Sequence, residues 1–108
     1  MIFNLYAVID LKAKSVVACF NSVNDEMALR SFEDLIFRPE DNVFNQHPED
    51  FKLIHGLSLE VLENGVVTNS CNVVDLRFGS EYSRNIIDSR RLEKAEYLKQ
   101  LEVINNGV

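Results

Sequence analysis

The stretch that decides the fold is residues 21–56, which read NSVNDEMALRSFEDLIFRPEDNVFNQHPEDFKLIHG. It combines a capped helix, a proline stop, a polar loop, a second proline turn and the start of an apolar strand. Ser22 or Asn24 can cap the helix, because either side chain can accept from the free amides of the first turn. Pro39 disfavours helical backbone at the residue before it, so we expect the helix to end near Phe37.

Apolar residues recur at helical spacing inside this stretch and predict a helix that packs against a sheet. They are Ala28, Phe32, Leu35 and Ile36. In the loop that follows, we expect Phe44 to be an apolar anchor. The sequence His47-Pro48-Glu49-Asp50 is expected to form a turn, because proline restricts the backbone and the acids can accept backbone amides.

The residues before this stretch predict a β-hairpin. Residues 2–10 alternate between two faces, and only Asn4 and Asp10 make the second face polar. This pattern is typical of a strand that is covered on one side and partly covered on the other. Residues 11–15 supply a polar turn with Lys12 and Lys14 at its tip, and residues 16–20 return as the second strand.

The residues after this stretch predict three more strands. The strand that begins at Phe51 is interrupted by Gly56, which suggests a β-bulge. Residues 63–65, Glu-Asn-Gly, predict a type I′ hairpin turn, after which residues 66–68 pair back. A last apolar run covers residues 73–78.

Residues 90–104 predict a final helix, because they are rich in residues with high helix propensity. Asp88 or Ser89 is expected to cap it. A row with a spacing of four, three and four residues is formed by Tyr97, Leu101, Ile104 and Val108. This row could dock on the chain's own sheet or contact a second copy of the chain, and the sequence leaves both possibilities open.

These elements predict an α+β fold in a single domain of residues 1–108. The expected sheet is antiparallel, with four to five strands in the order β-hairpin, helix, β-hairpin, strand. One helix packs on this sheet. Residues 1–80 form the α+β core, and residues 81–108 form a C-terminal helical extension.

Composition supports a folded protein: 46% of the residues are hydrophobic and 26% are charged. No apolar run reaches the roughly 20 residues that span a bilayer, and the N-terminus lacks a secretory signal. We therefore expect a cytosolic protein without a membrane partner. Cys19 and Cys71 lie far apart in apolar segments, and we expect two buried free thiols rather than a disulfide or a redox pair.

The net charge of −6 argues against nucleic-acid binding, which depends on cations that neutralise phosphates. The charge is unevenly distributed, however. Residues 1–76 carry five Lys and Arg against twelve Asp and Glu, whereas residues 77–108 carry six against five. The acidic excess therefore belongs to the first two thirds of the chain.

No motif predicts catalysis, a metal site or a cofactor. His47, His55, Cys19 and Cys71 show no ligand spacing. The sequence contains no nucleophile elbow, no glycine-rich phosphate loop and no HExxH motif. We expect a protein that is not an enzyme. A small-molecule enzyme would need a closed pocket that places His47 or His55 beside acids.

A weak pattern favours single-stranded nucleic acid, because an antiparallel sheet with exposed aromatics and flanking cations is a common platform for it. The candidate stacking residues are Tyr6 and Phe20, with Phe51 and Phe78 also in predicted strands. The candidate phosphate contacts are Lys12, Lys14, Lys52, Arg77, Arg84, Arg90 and Arg91. The alternative is that the aromatics belong to the core and the cations to the solvated surface. Arg84, Arg90 and Arg91 lie near a helix start, where the dipole disfavours positive charge.

The sequence resembles the small nonstructural protein of gokushovirus-type microviruses, which are phages with circular single-stranded DNA. Three motifs carry the resemblance, in the order NLYAVIDLKA, NDEMALRSF and FNQHPEDFKLIHG, and together they cover about residues 4–65. The matched positions are Tyr6, Asp10, Lys12, Ala13, Asn24, Asp25, Ala28, Arg30, Phe32, Phe44, His47, Pro48, Glu49, Asp50 and Phe51. The last predicted strand and the final helix depart from the family pattern.

The resemblance implies a non-enzymatic protein of the bacterial host cytoplasm that binds DNA when replication switches to packaging single strands. The implied partners are single-stranded DNA and viral or host replication proteins. We also expect a homodimer or a higher homo-oligomer, with Tyr97, Leu101 and Ile104 as the contact. The alternative is a protein-interaction or assembly factor that does not bind DNA, which the acidic charge favours.

Overall fold

The computed structural model describes residues 2–106 and contains five strands and three helices. The strands are β1 (Ile2–Asp10), β2 (Ser15–Ser22), β3 (Phe51–Val61), β4 (Val67–Ser70) and β5 (Val74–Phe78). The helices are α1 (Asp25–Ile36), the short α2 (Val43–Gln46) and α3 (Arg84–Asn106). Single 3-10 turns cover Pro48–Asp50 and Gly79–Glu81. The predicted α+β class and the antiparallel sheet are confirmed.

The sheet is built around β1 and the long strand β3. The strand order is β2-β1-β3-β4, and β5 also pairs with β3. β5 pairs with the first half of β3 and β4 with its second half, so that both lie along the same edge. The register between β1 and β3 shifts at Gly56, opposite Leu5 and Tyr6, which confirms the predicted bulge.

The core lies between one face of the sheet and α1. Tyr6 and Val8 of β1 and Leu53 of β3 are buried beneath Phe32 and Ile36 of α1. The predicted apolar stripe of α1 is confirmed. Ile87 in the first turn of α3 joins the same cluster, so the beginning of that helix is part of the core.

Local signals set the ends of α1 correctly but not the start of α3. The Asn24 side chain accepts from the Met27 amide at 2.9 Å, and the helix ends at Ile36. The predicted start of α3 at Asp88 or Ser89 is wrong. The helix begins at Arg84, because Ser83 accepts from the Ile86 amide at 3.2 Å and the core holds Ile87.

The hairpin between β3 and β4 is confirmed, but its predicted type I′ turn is wrong. Gly65 has φ of 83° and donates from its amide to the Leu62 carbonyl at 2.9 Å. A type I′ turn also needs positive φ at Asn64, whereas Lys14 is the one non-glycine residue with positive φ in the described part of the chain. The connection is therefore a three-residue loop, in which a turn is followed by a left-handed glycine.

The loop after α1 is more ordered than the sequence indicated. Its helix α2 was not predicted, and the Asn42 and Asn45 side chains each accept from the other residue's backbone amide. Asn45 is fully buried, and its side-chain amide donates to the Glu40 carbonyl at 2.9 Å. The predicted turn at Pro48 and the anchor at Phe44 are confirmed, the latter by its ring lying 4.7 Å from that of Phe51.

Both cysteines are free, as expected, but the expectation that they are buried is wrong. Cys19 lies on β2 opposite Ala7. Cys71 lies in the connection between β4 and β5. Neither position is covered by a helix, which explains their exposure.

Candidate nucleic-acid interface

One face of the sheet stays open to solvent. Side chains alternate between the two faces of a strand, so the neighbours of buried Tyr6 and Val8 point away from α1. We call this surface the open face. It carries Phe3, Leu5, Ile9, Lys52, Ile54 and Phe78, of which Phe3 is 41% exposed and Phe78 36% exposed. Along β1, the row on this face consists of exposed Phe3, half-buried Leu5 and Ile9, and buried Ala7. The row that includes Tyr6 faces the core.

Cations and an exposed aromatic ring meet at one end of the open face. The Lys52 ammonium lies 5.6 Å from the centre of the Phe78 ring and 2.9 Å from the Asp75 carboxylate. Lys12 and Lys14 belong to the β1–β2 turn at this same end, because Asp10 pairs with Phe51, the neighbour of Lys52. We call Lys12, Lys14, Lys52 and Phe78 the basic corner.

The other predicted phosphate contacts lie elsewhere. Arg77 pairs with buried Leu53 and lies 5.8 Å from the Tyr82 ring, on the face opposite the basic corner. Arg84 donates to the Asn45 carbonyl at 2.7 Å, and Arg91 donates to the Arg38 and Pro39 carbonyls at 2.9 and 3.0 Å. Arg84 and Arg91 therefore hold α3 against the loop, which explains cations near a helix start.

Most of the candidate cations also have an acidic partner. The pairs are Lys12 with Asp50 at 3.7 Å, Lys52 with Asp75, Arg77 with Glu81 at 4.0 Å, Arg84 with Asp88 at 3.3 Å, and Arg91 with Asp41. Lys14 and Arg90 have no ion pair among residues 2–106. An acidic partner offsets the attraction of a cation for phosphate. Lys14, which lacks such a partner among residues 2–106, is therefore the lysine of the basic corner that is most available to bind phosphate.

Tyr6 is part of the core and offers no ring face to a base, since it is 1% exposed. Its ring stacks on His55 at 4.8 Å and on the partly buried Phe20 at 5.9 Å. Its hydroxyl donates to the Asp25 carboxylate at 2.8 Å. Burial, together with the hydrogen bond and the negative charge of Asp25, raises the pKa of Tyr6 to about 12. Phe3, which is not among the predicted stacking residues, is the exposed aromatic residue of β1.

An open cleft of about 450 Å³ lies beside the start of α1 and is lined by His55, Asp25 and Glu26, among others. It brings His55 close to acids, but it is open to solvent, whereas the enzyme alternative requires a closed pocket. The Ser58 hydroxyl, however, donates to Asn4 Oδ1 at 2.7 Å and lies 3.1 Å from His55 Nε2. With its proton directed to Asn4, Ser58 accepts from His55, which is the reverse of activation by a general base.

The turn at Pro48 brings together three potential metal ligands that sequence spacing did not indicate. Ligand atoms of His47, Glu49 and Asp50 lie within 4.8 Å of one another. His47 and Glu49 are exposed, and Asp50 interacts with Lys12 across the turn. The Asp50 carbonyl also accepts from the Leu11 amide at 2.7 Å. These contacts give the group a structural role, which is to join the turn to β1.

The outer half of α3 extends beyond the contacts that hold its first half. The Lys94 ammonium donates a hydrogen bond to the Asp34 carboxylate of α1 at 3.0 Å. Past this point, Tyr97, Leu101 and Ile104 are exposed, so they do not dock on the chain's own sheet. Val108 lies outside the described residues. None of the helices within residues 2–106 is long and apolar enough to cross a membrane.

The comparison with known families matches the part of the chain that contains β1, β2, α1 and the first half of β3. A family model described as "Phage ORF5 protein" matches residues 3–57, just over half of the 108 residues. No curated protein and no solved structure matches the chain. The matched range includes all three sequence motifs and the three lysines of the basic corner. The chain therefore belongs to the Phage ORF5 family and is a bacteriophage protein.

Proposed function

We propose that this phage protein is not an enzyme and that it binds single-stranded DNA, or the replication complex assembled on it, during genome replication or packaging. The observation that carries the proposal is the basic corner of the open face. Phe78 offers a ring that is 36% exposed, and the Lys52 ammonium lies 5.6 Å from its centre. Lys12 and Lys14 belong to the β1–β2 turn at the same end of the sheet. Stacking on aromatic side chains combined with cations along the backbone is how proteins bind single strands without strong sequence preference.

The first measurement is the binding of a labelled single-stranded oligonucleotide across a salt series. With three lysines at the corner, the logarithm of the association constant should fall with the logarithm of salt concentration at a slope of about −2. Lys14→Gln should reduce this slope by about 0.7. Phe78→Ala should weaken binding about tenfold, because stacking of one base contributes about 1–3 kcal/mol.

The matched control is Phe3→Ala. Phe3 is exposed to a similar extent on the same face, but it lies at the far end of β1. Its replacement should leave the affinity unchanged. An absence of binding at low salt, an affinity that does not depend on salt, or equal losses in both phenylalanine variants would contradict the proposal.

A second candidate is an assembly factor that binds viral or host replication proteins and no DNA. The observation that favours it is the pairing of most candidate cations with acids in a chain of net charge −6. Its contact surface would be the exposed row Tyr97, Leu101 and Ile104. Binding of a purified replication protein that is lost in Leu101→Glu, while DNA binding is absent, would support it over the first candidate.

A further inference from the structure

The two edges of the sheet differ in how well they are protected from pairing with another strand. One edge consists of β4 and β5, which are four and five residues long. β5 carries Asp75 and Arg77 and has an irregular register with β3. Short strands, charges and bulges are the usual ways in which proteins prevent edge pairing. This edge is therefore protected from pairing with another strand.

The other edge is β2, and it has little such protection. It spans Ser15–Ser22 with the sequence SVVACFNS, which contains no charged residue and no proline. Within the described residues it pairs with β1 alone. Its one irregularity is a register shift near Val17. An eight-residue neutral edge strand presents a row of backbone donors and acceptors to a second chain.

We infer that β2 is a self-association edge, where a second copy of this chain adds its own β2 in antiparallel orientation. An antiparallel pair of identical strands has two-fold symmetry, so the interface closes without leaving a free copy of the same edge. The lack of charge on β2 suits this partner. Two chains of net charge −6 repel one another over most of their surface, and β2 is a place where they can meet without apposed charges.

The surface area of the chain is consistent with a missing partner. Its accessible surface is 7482 Å², whereas a folded monomer of 12.4 kDa exposes about 6,100 Å² on the usual scaling with mass. The surplus exceeds the roughly 800 Å² that each partner buries in a typical stable interface. Exposed residues of the outer half of α3 and of the strands contribute to this surplus.

Pairing of β2 with its own copy would join the two sheets into one of ten strands. The two-fold axis would run perpendicular to this sheet, since both strands lie in its plane. Both copies of α1 would then cover the same face, and the two open faces would form one continuous surface. The basic corners would lie toward opposite ends of the joined strands. This inference concerns assembly and does not depend on whether DNA binds.

Cys19 provides a direct test, because it lies at the centre of β2 and is exposed. In an antiparallel pair centred on the strand, Cys19 lies within one or two residues of its symmetry mate. A short bismaleimide cross-linker added to the full-length protein should therefore give a covalent dimer. The dimer should be lost in Cys19→Ser and retained in Cys71→Ser, which removes the other exposed thiol of the chain.

A second test measures association without cross-linking. Val16 on β2 and Val67 on β4 are 60% and 58% exposed and lie on opposite edges of the sheet. In sedimentation equilibrium, Val16→Glu should raise the dissociation constant of the dimer about tenfold, because a charge on the edge disfavours pairing. Val67→Glu should leave it unchanged.

Three results would overturn the inference. A protein that stays monomeric at several hundred micromolar would exclude self-association. Cross-linking that persists in Cys19→Ser and disappears in Cys71→Ser would place the interface at the β4–β5 side. Equal weakening of the dimer by the two glutamate substitutions would show that general charge repulsion, and not the β2 edge, controls association.

Discussion

Among the glycines at positions 56, 65 and 79, Gly79 has the least room for a side chain. A Cβ atom added there would lie 1.9 Å from the Pro48 carbonyl oxygen and 2.7 Å from the Pro48 carbonyl carbon. The first 3-10 turn thus packs directly on the second, between the end of β5 and the start of β3. The close approach explains why a glycine ends the last apolar run, and no local pattern in the sequence reveals it.

Gly79→Ala should destabilise the protein by about 3 kcal/mol, because backbone atoms would have to move to accommodate the methyl group. The free energy of unfolding in urea measures the effect. Gly56→Ala is the matched control. The nearest atom to an added Cβ there is the Leu5 carbonyl oxygen at 3.8 Å, an ordinary contact, and we expect a loss below about 1 kcal/mol. Similar losses in both variants would rule out the steric explanation.

At the scale of elements, α3 is attached to the rest of the fold by its first half. Ile87 packs in the core. Arg84 and Arg91 donate hydrogen bonds to the loop after α1, and Lys94 donates one to α1. Arg91 makes the most extensive of these contacts, because it donates to two backbone carbonyls and pairs with Asp41. Arg84 and Arg91 therefore have a structural reason to lie near the helix start.

Arg91→Ala should destabilise the protein by about 2 kcal/mol, which is typical for hydrogen bonds from a charged donor. Amide hydrogen exchange should also become faster in residues 38–46, since the loop loses the Arg91 contacts to α3 and keeps only that of Arg84. Arg90→Ala is the control, because the neighbouring Arg90 is exposed and its side chain has no hydrogen bond or ion pair within residues 2–106. Unchanged exchange in the Arg91 variant would show that the loop is ordered by its own asparagine contacts.

At the scale of the whole molecule, the protein is flat and extended. Its dimensions are 55 × 39 × 18 Å and its radius of gyration is 17.2 Å, whereas a compact domain of this length has about 13 Å. One layer of helices on one face of a sheet leaves the other face open. This shape makes both the basic corner and the β2 edge accessible to partners.

Global stability should fall at alkaline pH. Burial raises the pKa of Tyr6 to about 12, and burial and the bond to Glu33 raise the pKa of Tyr82 as well. A tyrosine whose pKa is higher in the folded than in the unfolded state makes its full contribution to the free energy of unfolding below the unfolded pKa of about 10. This contribution is lost as the pH rises toward the pKa of the folded state. The free energy of unfolding should therefore decrease between about pH 10 and 12.

Tyr6→Phe tests this expectation, because it keeps the ring and removes the titrating hydroxyl. Denaturation at pH 8, 10 and 11 should show a smaller alkaline loss than in the unaltered protein, although stability at pH 8 falls because Asp25 loses a donor. Tyr97→Phe, at an exposed position, should leave the profile unchanged. An alkaline loss of the same size in all three proteins would assign it to other groups.

The amino-acid sequence by itself determined the α+β class, the end of α1, the bulge at Gly56 and the turn at Pro48, and it narrowed the cap of α1 to Ser22 or Asn24. Each depends on residues close together in the chain, where capping, proline restriction and periodicity act. The sequence also identified the phage family through motifs in residues 3–57.

Tertiary structure alone decided which face of β1 is buried, where the cations lie and which strands form the edges of the sheet. Tyr6 and Phe3 both stand in an apolar strand, and only the docking of α1 separates core from surface. Arg91 and Arg90 are adjacent, and only the fold gives one of them carbonyl partners. These outcomes depend on contacts between residues far apart in the chain, which local spacing does not encode.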